Sequence, residues 1–250
     1  MPEKTPHRYF IKTWGCQMNT QDERKMAAIL DAEGYQPASS PSGADLILLN
    51  TCSVREKSAD KLFAFLGRLG RLKGSSPDLL IGVTGCVAQQ EGKEIFARAP
   101  QVDFVLGPRR IGRLPVLVSE ARQGRRKADT DLDDLRAIFW DGSRAARPDA
   151  RAYITIMEGC NMGCTFCIVP RTRGREVHRP APEILDAARR LADQGVKEIE
   201  LLGQTVNAYR DGSTRFHHLL QQLASQRPGL RRLRFTSSHP AYLTPSLAAV

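Results

Sequence analysis

Glu158-Gly159-Cys160-Asn161-Met162-Gly163-Cys164-Thr165-Phe166-Cys167 sets three cysteines in a C-x₃-C-x₂-C spacing on a glycine-containing loop. Three thiolates this close can wrap one corner of an iron–sulfur cluster. Four would suit electron transfer. Three leave one iron of a cubane without a protein ligand, so a substrate can bind there. The bland alternatives are a zinc knuckle and disulfides. Structural zinc usually takes four protein ligands, and the only further Cys or His near the run is His178.

Working outward, the other three cysteines each end a short apolar run: F-I-K-T-W-G-Cys16, L-I-L-L-N-T-Cys52 and L-I-G-V-T-G-Cys86. A polar, helix-like stretch follows each. Apolar runs alternating with helical patterns read as parallel βα units, and ligands in such folds gather beyond the carboxyl ends of the strands. Cys16, Cys52 and Cys86 are therefore expected to meet at one rim of one sheet and to hold a second cluster, again one ligand short.

The strands expected in the N-terminal part are 8–13, 45–50, 79–84 and 102–106. The helices are Asn19 to Glu33, with Asn19 or Thr20 as N-cap, then Ser53 to Lys73, 88–99 and Arg110 to Ala121. From 122 to 150 the pattern fails and reads as a linker, although L-R-A-I-F-W at 135–140 is apolar enough to pack. Its acidic run, Asp129, Asp131, Asp133 and Asp134, lacks the glycine and terminal glutamate of a calcium loop. A second βα series begins at 152–157, with the cysteine loop after its first strand. A helix Ala181 to Gln194, a strand 198–203, a helix Phe216 to Ser225 and a strand 230–236 follow. The organisation is thus α/β: a Rossmann-like parallel-sheet domain over 1–121, a linker over 122–150, and a partial (β/α) barrel over 151–250.

The chain has 250 residues and 41% apolar residues, enough for a normal core. No apolar run is long enough for a membrane span, and M-P-E-K-T-P-H-R at the start lacks the apolar core of a secretory signal. Six cysteines in an exported chain would read as three disulfides. Nothing here points to export, and reduced thiols fit the cytoplasm. The net charge of +10 favours a polyanionic partner. Basic residues crowd R-Q-G-R-R-K at 122–127, read as solvated linker, and P-R-T-R-G-R-E-V-H-R at 170–179, beside the cysteine loop. A phosphate or carboxylate contact is expected at the second run.

With both cysteine sets in view, the chain resembles the radical S-adenosylmethionine (SAM) methylthiotransferase family, which pairs an N-terminal three-cysteine domain with a radical-SAM domain. The resemblance lies in K-T-W-G-C-Q-M-N (12–19), L-N-T-C-S-V-R-E-K (49–57), G-V-T-G-C-V-A-Q-Q-E-G (82–92), I-M-E-G-C-N (156–161), T-R-G-R-E-V-H-R-P (172–180), L-L-G-Q-T-V-N-A-Y (201–209) and F-T-S-S-H-P (235–240). W-G-C-Q-M-N resembles the branch that acts on isopentenyladenosine in tRNA, rather than those acting on threonylcarbamoyladenosine or on a ribosomal-protein aspartate. Met162-Gly163 and Arg171 depart from the family pattern and remove no ligand.

The resemblance implies two 4Fe-4S clusters and SAM. Cys160, Cys164 and Cys167 would hold the cluster that gives one electron to SAM, releasing methionine and a 5′-deoxyadenosyl radical. Cys16, Cys52 and Cys86 would hold the cluster that carries sulfur. Two SAM molecules would be used per methylthio group placed on C2 of isopentenyladenosine beside the anticodon. The implied partners are that tRNA, a flavodoxin- or ferredoxin-like electron donor and a sulfur donor. Phe166 is expected against the cluster or the adenine. Gly203, Gln204 and Asn207, at a strand's carboxyl end, are candidates for cofactor contact, and Ser237, Ser238 and His239 share that argument. His217 and His218 fall on a helix surface. The three-strand barrel series reads as the first half of a radical-SAM barrel, with the third strand's edge and an apolar inner face left uncovered. The alternative from another class, a non-enzymatic iron–sulfur electron carrier, is disfavoured by three-ligand sets.

Overall fold

The computed structural model describes residues 6–133, 139, 150–225 and 229–250. It divides into two compact units, Met1–Ala137 and Ile138–Val250.

In the first unit the apolar runs become β1 (Arg8–Trp14), β3 (Leu46–Thr51), β4 (Leu80–Gly85) and β5 (Phe104–Leu106), joined by short β2 (Gln36–Pro37) and β6 (Lys127–Asp129). All pair in parallel in the order β2-β1-β3-β4-β5-β6. The central strands β3 and β4 are buried along their whole length, as expected of a sheet covered on both faces. Helix α1 (Gln17–Ala32) and α5 (Leu114–Arg122) cover one face. There Met26, Leu30, Leu114 and Leu117 pack on Leu46, Leu48 and Phe104. Helices α2 (Glu56–Ser75), α3 (Cys86–Glu91) and α4 (Glu94–Arg98) cover the other. Leu62, Leu66 and Leu69 recur at helical spacing along α2 and pack on Ile47, Leu49, Ile81 and Val83. The strand order 2-1-3-4-5 is a doubly wound one whose switch point lies between β1 and β3.

Four local differences from the sequence expectation have physical causes. Helix α1 begins at Gln17, not at Asn19, because the Asn19 side chain turns back to the Cys16 N–H (3.3 Å) instead of capping from its own position. The helix expected over 88–99 breaks into α3 and α4 at Gly92, which sits at φ 54. A 3-10 turn, Pro108–Arg113, precedes α5. The sixth strand lies inside the span read as linker. Lys127 and Asp129 flank only one apolar residue there, and three residues show no periodicity. Arg126 donates to the Val102 carbonyl (3.0 Å) and stacks on Phe96, so the basic run at 122–127 is partly tied into the fold. Asp129 is buried against Arg110 (2.6 Å) and Arg113 (3.2 Å). The apolar run at 135–140 lies outside the described residues except Phe139, as does Asp134.

The second unit carries a parallel sheet in the order β13-β10-β7, formed by β7 (Arg151–Thr155), β10 (Glu198–Leu202) and β13 (Arg232–Phe235). Between β7 and β10 run β8 (Met157–Glu158), α6 (Val169–Thr172), β9 (Val177–His178) and α7 (Ala181–Asp193). Between β10 and β13 come a small hairpin, β11 (Arg210–Asp211) with β12 (Thr214–Arg215), and α8 (Phe216–Ser225); α9 (Pro245–Ala248) lies near the end. Ile154, Ile199 and Leu201 face α7 and α8, meeting Ile184, Ala187, Leu219 and Leu223. The opposite face overturns the expectation of an apolar one. Period-two alternation puts Arg151, Tyr153, Glu198, Glu200, Arg232 and Arg234 there. Glu198 pairs with Arg151 (3.3 Å), Arg232 (3.0 Å) and Arg234 (3.5 Å), and buried Glu200 pairs with Arg151.

Candidate metal centres

β1, β3 and β4 are neighbours in register, with Trp14 opposite Thr51 and Thr51 opposite Gly85. Cys52 and Cys86 follow directly and Cys16 one residue later, after Gly15, so three adjacent parallel strands deliver one thiol each at the same rim. The rim includes the switch point, where doubly wound sheets bind ligands. The Cys52 N–H donates to the Trp14 carbonyl (2.9 Å), fixing the loop, and Cys52 and Cys86 are buried. A hydrogen bond with Cys16 and then burial push the Cys52 thiol well above its usual pKa, while the Val54 N–H (3.4 Å) pulls the other way. Thiols packed together resist ionising side by side without a cation to share.

Behind the thiols lies a buried amide pair. Asn19 Nδ2 donates to Asn50 Oδ1 (3.1 Å), and Asn50 Nδ2 donates to the Asn19 carbonyl (2.7 Å) and to Thr13 Oγ1 (3.3 Å). Asn50 also packs against Gly85, where a Cβ would stand 2.6 Å from Asn50 Oδ1 and 2.6 Å from the Thr51 carbonyl. One side chain thus ties together the approaches to all three cysteines. The sequence offered no sign of this pairing beyond asparagines beside two of the cysteines.

The second set sits on a loop closed by antiparallel pairing of β8 with β9, Met157 opposite His178 and Glu158 opposite Val177. The Cys160 N–H extends the ladder to the Gly174 carbonyl (3.1 Å). Cys160 Sγ lies 3.3 Å from Thr205 Oγ1 and accepts from the Met162 N–H (3.4 Å). The Cys167 N–H donates to the Cys164 carbonyl (3.0 Å), and Cys164 Sγ lies 3.9 Å from His239 Nε2. Asn161 and Glu176 exchange backbone and side-chain bonds (3.1 to 3.3 Å) across the loop. Burial lowers the pKa of His178, which faces Glu176 at 3.6 Å.

The other sequence candidates surround this loop. Gln204 Oε1 accepts from the Gly159 N–H (2.6 Å). Gly203 lies so close to Met157 that a Cβ would meet its Cγ at 2.5 Å. Asn207 holds the backbone of His239 at both ends, accepting its N–H and donating to its carbonyl (2.8 Å each). Phe166 stands 92% exposed on the loop. Sequence reasoning missed Thr205 and the support from Arg173. Arg173 and Glu158 form a buried pair (3.7 Å) beneath the loop, and Arg179 is buried as well, its carbonyl accepting from Tyr209 (2.7 Å). The basic run at 170–179 therefore spends much of its charge inside, leaving Arg171 and Arg175 exposed. His217 and His218 lie side by side on α8 with their rings tilted by 49°, His218 at the surface.

The buried pair gives a direct test. Arg173→Met removes a cation from beside buried Glu158 and is expected to destabilise the protein by about 3–5 kcal/mol in urea titration. The double change with Glu158→Gln is expected to cost less. A double-mutant loss equal to the sum of the two single losses would show that the pair carries no coupling.

Both donor sets fit iron–sulfur ligation. All six cysteines are free, and each set offers three thiols from one rim or one loop. Among the described residues, no three His, Cys, Asp or Glu side chains surround a single-ion site. Nor is any helix of the described residues long and apolar enough to cross a membrane.

Comparison with known proteins follows the same division. Residues 8–107 match the uncharacterized protein family UPF0004, and residues 154–248 match the Radical SAM superfamily. A protein of Methylobacillus flagellatus named tRNA-2-methylthio-N(6)-dimethylallyladenosine synthase is 50% identical over 249 residues, covering 97% of this chain and 56% of its own length. Proteins of the same name from Roseobacter denitrificans and Thiobacillus denitrificans are each 48% identical, covering 94% and 96% of this chain and 54% and 55% of their own. The chain spans about half the length of the curated relatives it matches. Among solved structures, the radical S-adenosylmethionine methyltransferase TsrM of Kitasatospora setae, with tryptophan and a SAM analogue bound, superposes with a TM-score of 0.61 at 14% identity. That match covers 97% of this chain and 56% of the other, and at such identity the likeness is one of fold.

Proposed function

We propose that the chain is a member of the radical SAM methylthiotransferase family and that the protein places a methylthio group on C2 of isopentenyladenosine next to the anticodon of tRNA. One observation carries the reading: two separate sets of three free cysteines, on two units, each one ligand short of a cubane. When bound, the cofactors supply the difficult chemistry, an electron for SAM cleavage at one set and the transferable sulfur at the other.

The protein's own residues hold and aim. Cys160, Cys164 and Cys167 hold the SAM-cleaving cluster, and Cys16, Cys52 and Cys86 hold the sulfur-carrying one. Gln204 fixes the entry to the cysteine loop through Gly159, and Asn207 fixes the turn at His239. Phe166, exposed beside the thiols, and Gly203, at the carboxyl end of β10, supply contacts for SAM. Exposed Arg171 and Arg175 draw the phosphate backbone of the RNA toward the loop. A flavodoxin- or ferredoxin-like reductant and a sulfur donor complete the reaction in the cytoplasm.

Anaerobic reconstitution with iron and sulfide counting and Mössbauer spectroscopy tests the reading. Two cubanes give about eight irons per chain, and changing Cys16, Cys52 and Cys86 together to alanine is expected to leave about four. Stoichiometric zinc without visible absorption would rule the reading out. Nucleoside mass spectrometry of isopentenylated tRNA treated with the intact protein and SAM checks the product.

A further inference from the structure

The turn after β13 reaches the cysteine loop through one side chain. His239 is anchored at both backbone ends by Asn207 (2.8 Å each). Its ring is oriented too, because Nδ1 accepts from the Ala241 N–H (3.1 Å). A neutral imidazole that accepts at Nδ1 carries its hydrogen on Nε2. That atom lies 3.9 Å from Cys164 Sγ, the long end of contact to a sulfur acceptor. The neighbouring Tyr242 packs edge-on against the ring, 6.3 Å between centroids, and its hydroxyl reaches Met162 Sδ (3.6 Å) on the same cysteine loop. Two residues before the histidine, Ser237 sits at φ 65, a left-handed conformation that costs a non-glycine residue energy. Its carbonyl is held by the Val206 N–H (3.2 Å). A strained, doubly anchored turn that aims an N–H at a ligand sulfur is a device for orientation.

We propose that His239 is a positioning residue that donates an N–H···S hydrogen bond to Cys164 and thereby sets the reduction potential of the cluster held by Cys160, Cys164 and Cys167. The inference rests on the iron–sulfur reading above and deepens it. A donor on the ligand sulfur draws electron density from the thiolate and stabilises the more negative, reduced cluster, so it raises the potential. Cys160 Sγ accepts from the Met162 N–H and lies 3.3 Å from the Thr205 hydroxyl, beyond β10. Cys164 takes its own from a different strand end, which makes its tuning separable by mutation.

The test uses the full chain with Cys16, Cys52 and Cys86 changed to alanine, so that one cluster remains, titrated with reductant and followed by electron paramagnetic resonance. His239→Phe is expected to lower the equilibrium constant for one-electron reduction about tenfold, which is about 59 mV. His239→Gln, which keeps an N–H donor, is expected to recover most of that. An unchanged potential in a His239→Phe chain carrying its four irons would overturn the proposal. A measurement without substitution at this position guards against misfolding. In chain labelled with ¹⁵N-histidine, pulsed resonance of the reduced cluster should show a nitrogen coupling, and its absence would also overturn it. A chain that assembles no cluster fails earlier, on iron content, and defeats both the functional reading and the inference built on it.

Discussion

Replacing Cys164 with alanine is expected to abolish reductive cleavage of SAM in the intact protein, while replacing Cys52 is expected to abolish methylthio transfer and leave 5′-deoxyadenosine formation measurable. The asymmetry follows from where the two thiols sit. Cys164 belongs to the eight-residue loop, whose set has no spare ligand, so its loss removes the electron source. Cys52 ends β3 in the other compact unit, and its backbone N–H bond to Trp14 survives the change to alanine. The sheet therefore folds, and the loop set remains intact. Liquid chromatography of 5′-deoxyadenosine and of the modified nucleoside reads both outcomes. Loss of SAM cleavage in Cys52→Ala, with four irons still present at the loop set, would reverse the division of labour.

Gly159→Ala is expected to cost far more than its single methyl group implies. Gly159 sits at φ 82, and an added Cβ would stand 2.2 Å from the Arg175 carbonyl and 2.5 Å from that of Gly174. Neither atom can retreat easily. The Gly174 carbonyl accepts from Cys160, and the Gly159 N–H is held by Gln204. The left-handed backbone costs about 1–2 kcal/mol and overpacking about 1–3 kcal/mol more. Urea titration of the metal-free protein should show a loss of about 2–5 kcal/mol, with poor iron retention at the loop set after reconstitution. Full stability and four irons at that set would contradict the argument.

The parallel sheet and the gathering of Cys16, Cys52 and Cys86 at its rim were legible because their signals are local. Each apolar run stops at a cysteine, and strand-end thiols in parallel βα units have one place to go. The charged sheet face was misread as apolar although its signal is equally local. R-A-Y-I-T, E-I-E-L-L and R-L-R-F alternate residue by residue, and that period was there to be read. What sequence could not give are contacts between distant positions. Asn19 and Asn50 are 31 residues apart, and their pairing depends on the register of β1 and β3. Gln204 reaches Gly159 across 45 residues. β6 is too short and too charged to announce itself, and the buried arginines of 170–179 look on paper like any surface run. Only their depth, set by Glu158 and the β8–β9 ladder, separates them from the exposed Arg171 and Arg175.

The two cysteine sets also differ in when they can come into being. Cys160, Cys164 and Cys167 are neighbours in the chain, on a loop closed by a two-residue ladder. Their meeting costs little loop-closure entropy, so a peptide spanning 156–179 already contains the whole ligand set. Cys16, Cys52 and Cys86 meet only after three strands have paired in register, and no peptide shorter than most of the unit contains them. Contacts that distant form late in folding. On the proposed ligand assignment, iron offered to the nascent or unfolded chain is expected to find the loop first, and the rim of the sheet to accept its metal only once the fold around it is complete.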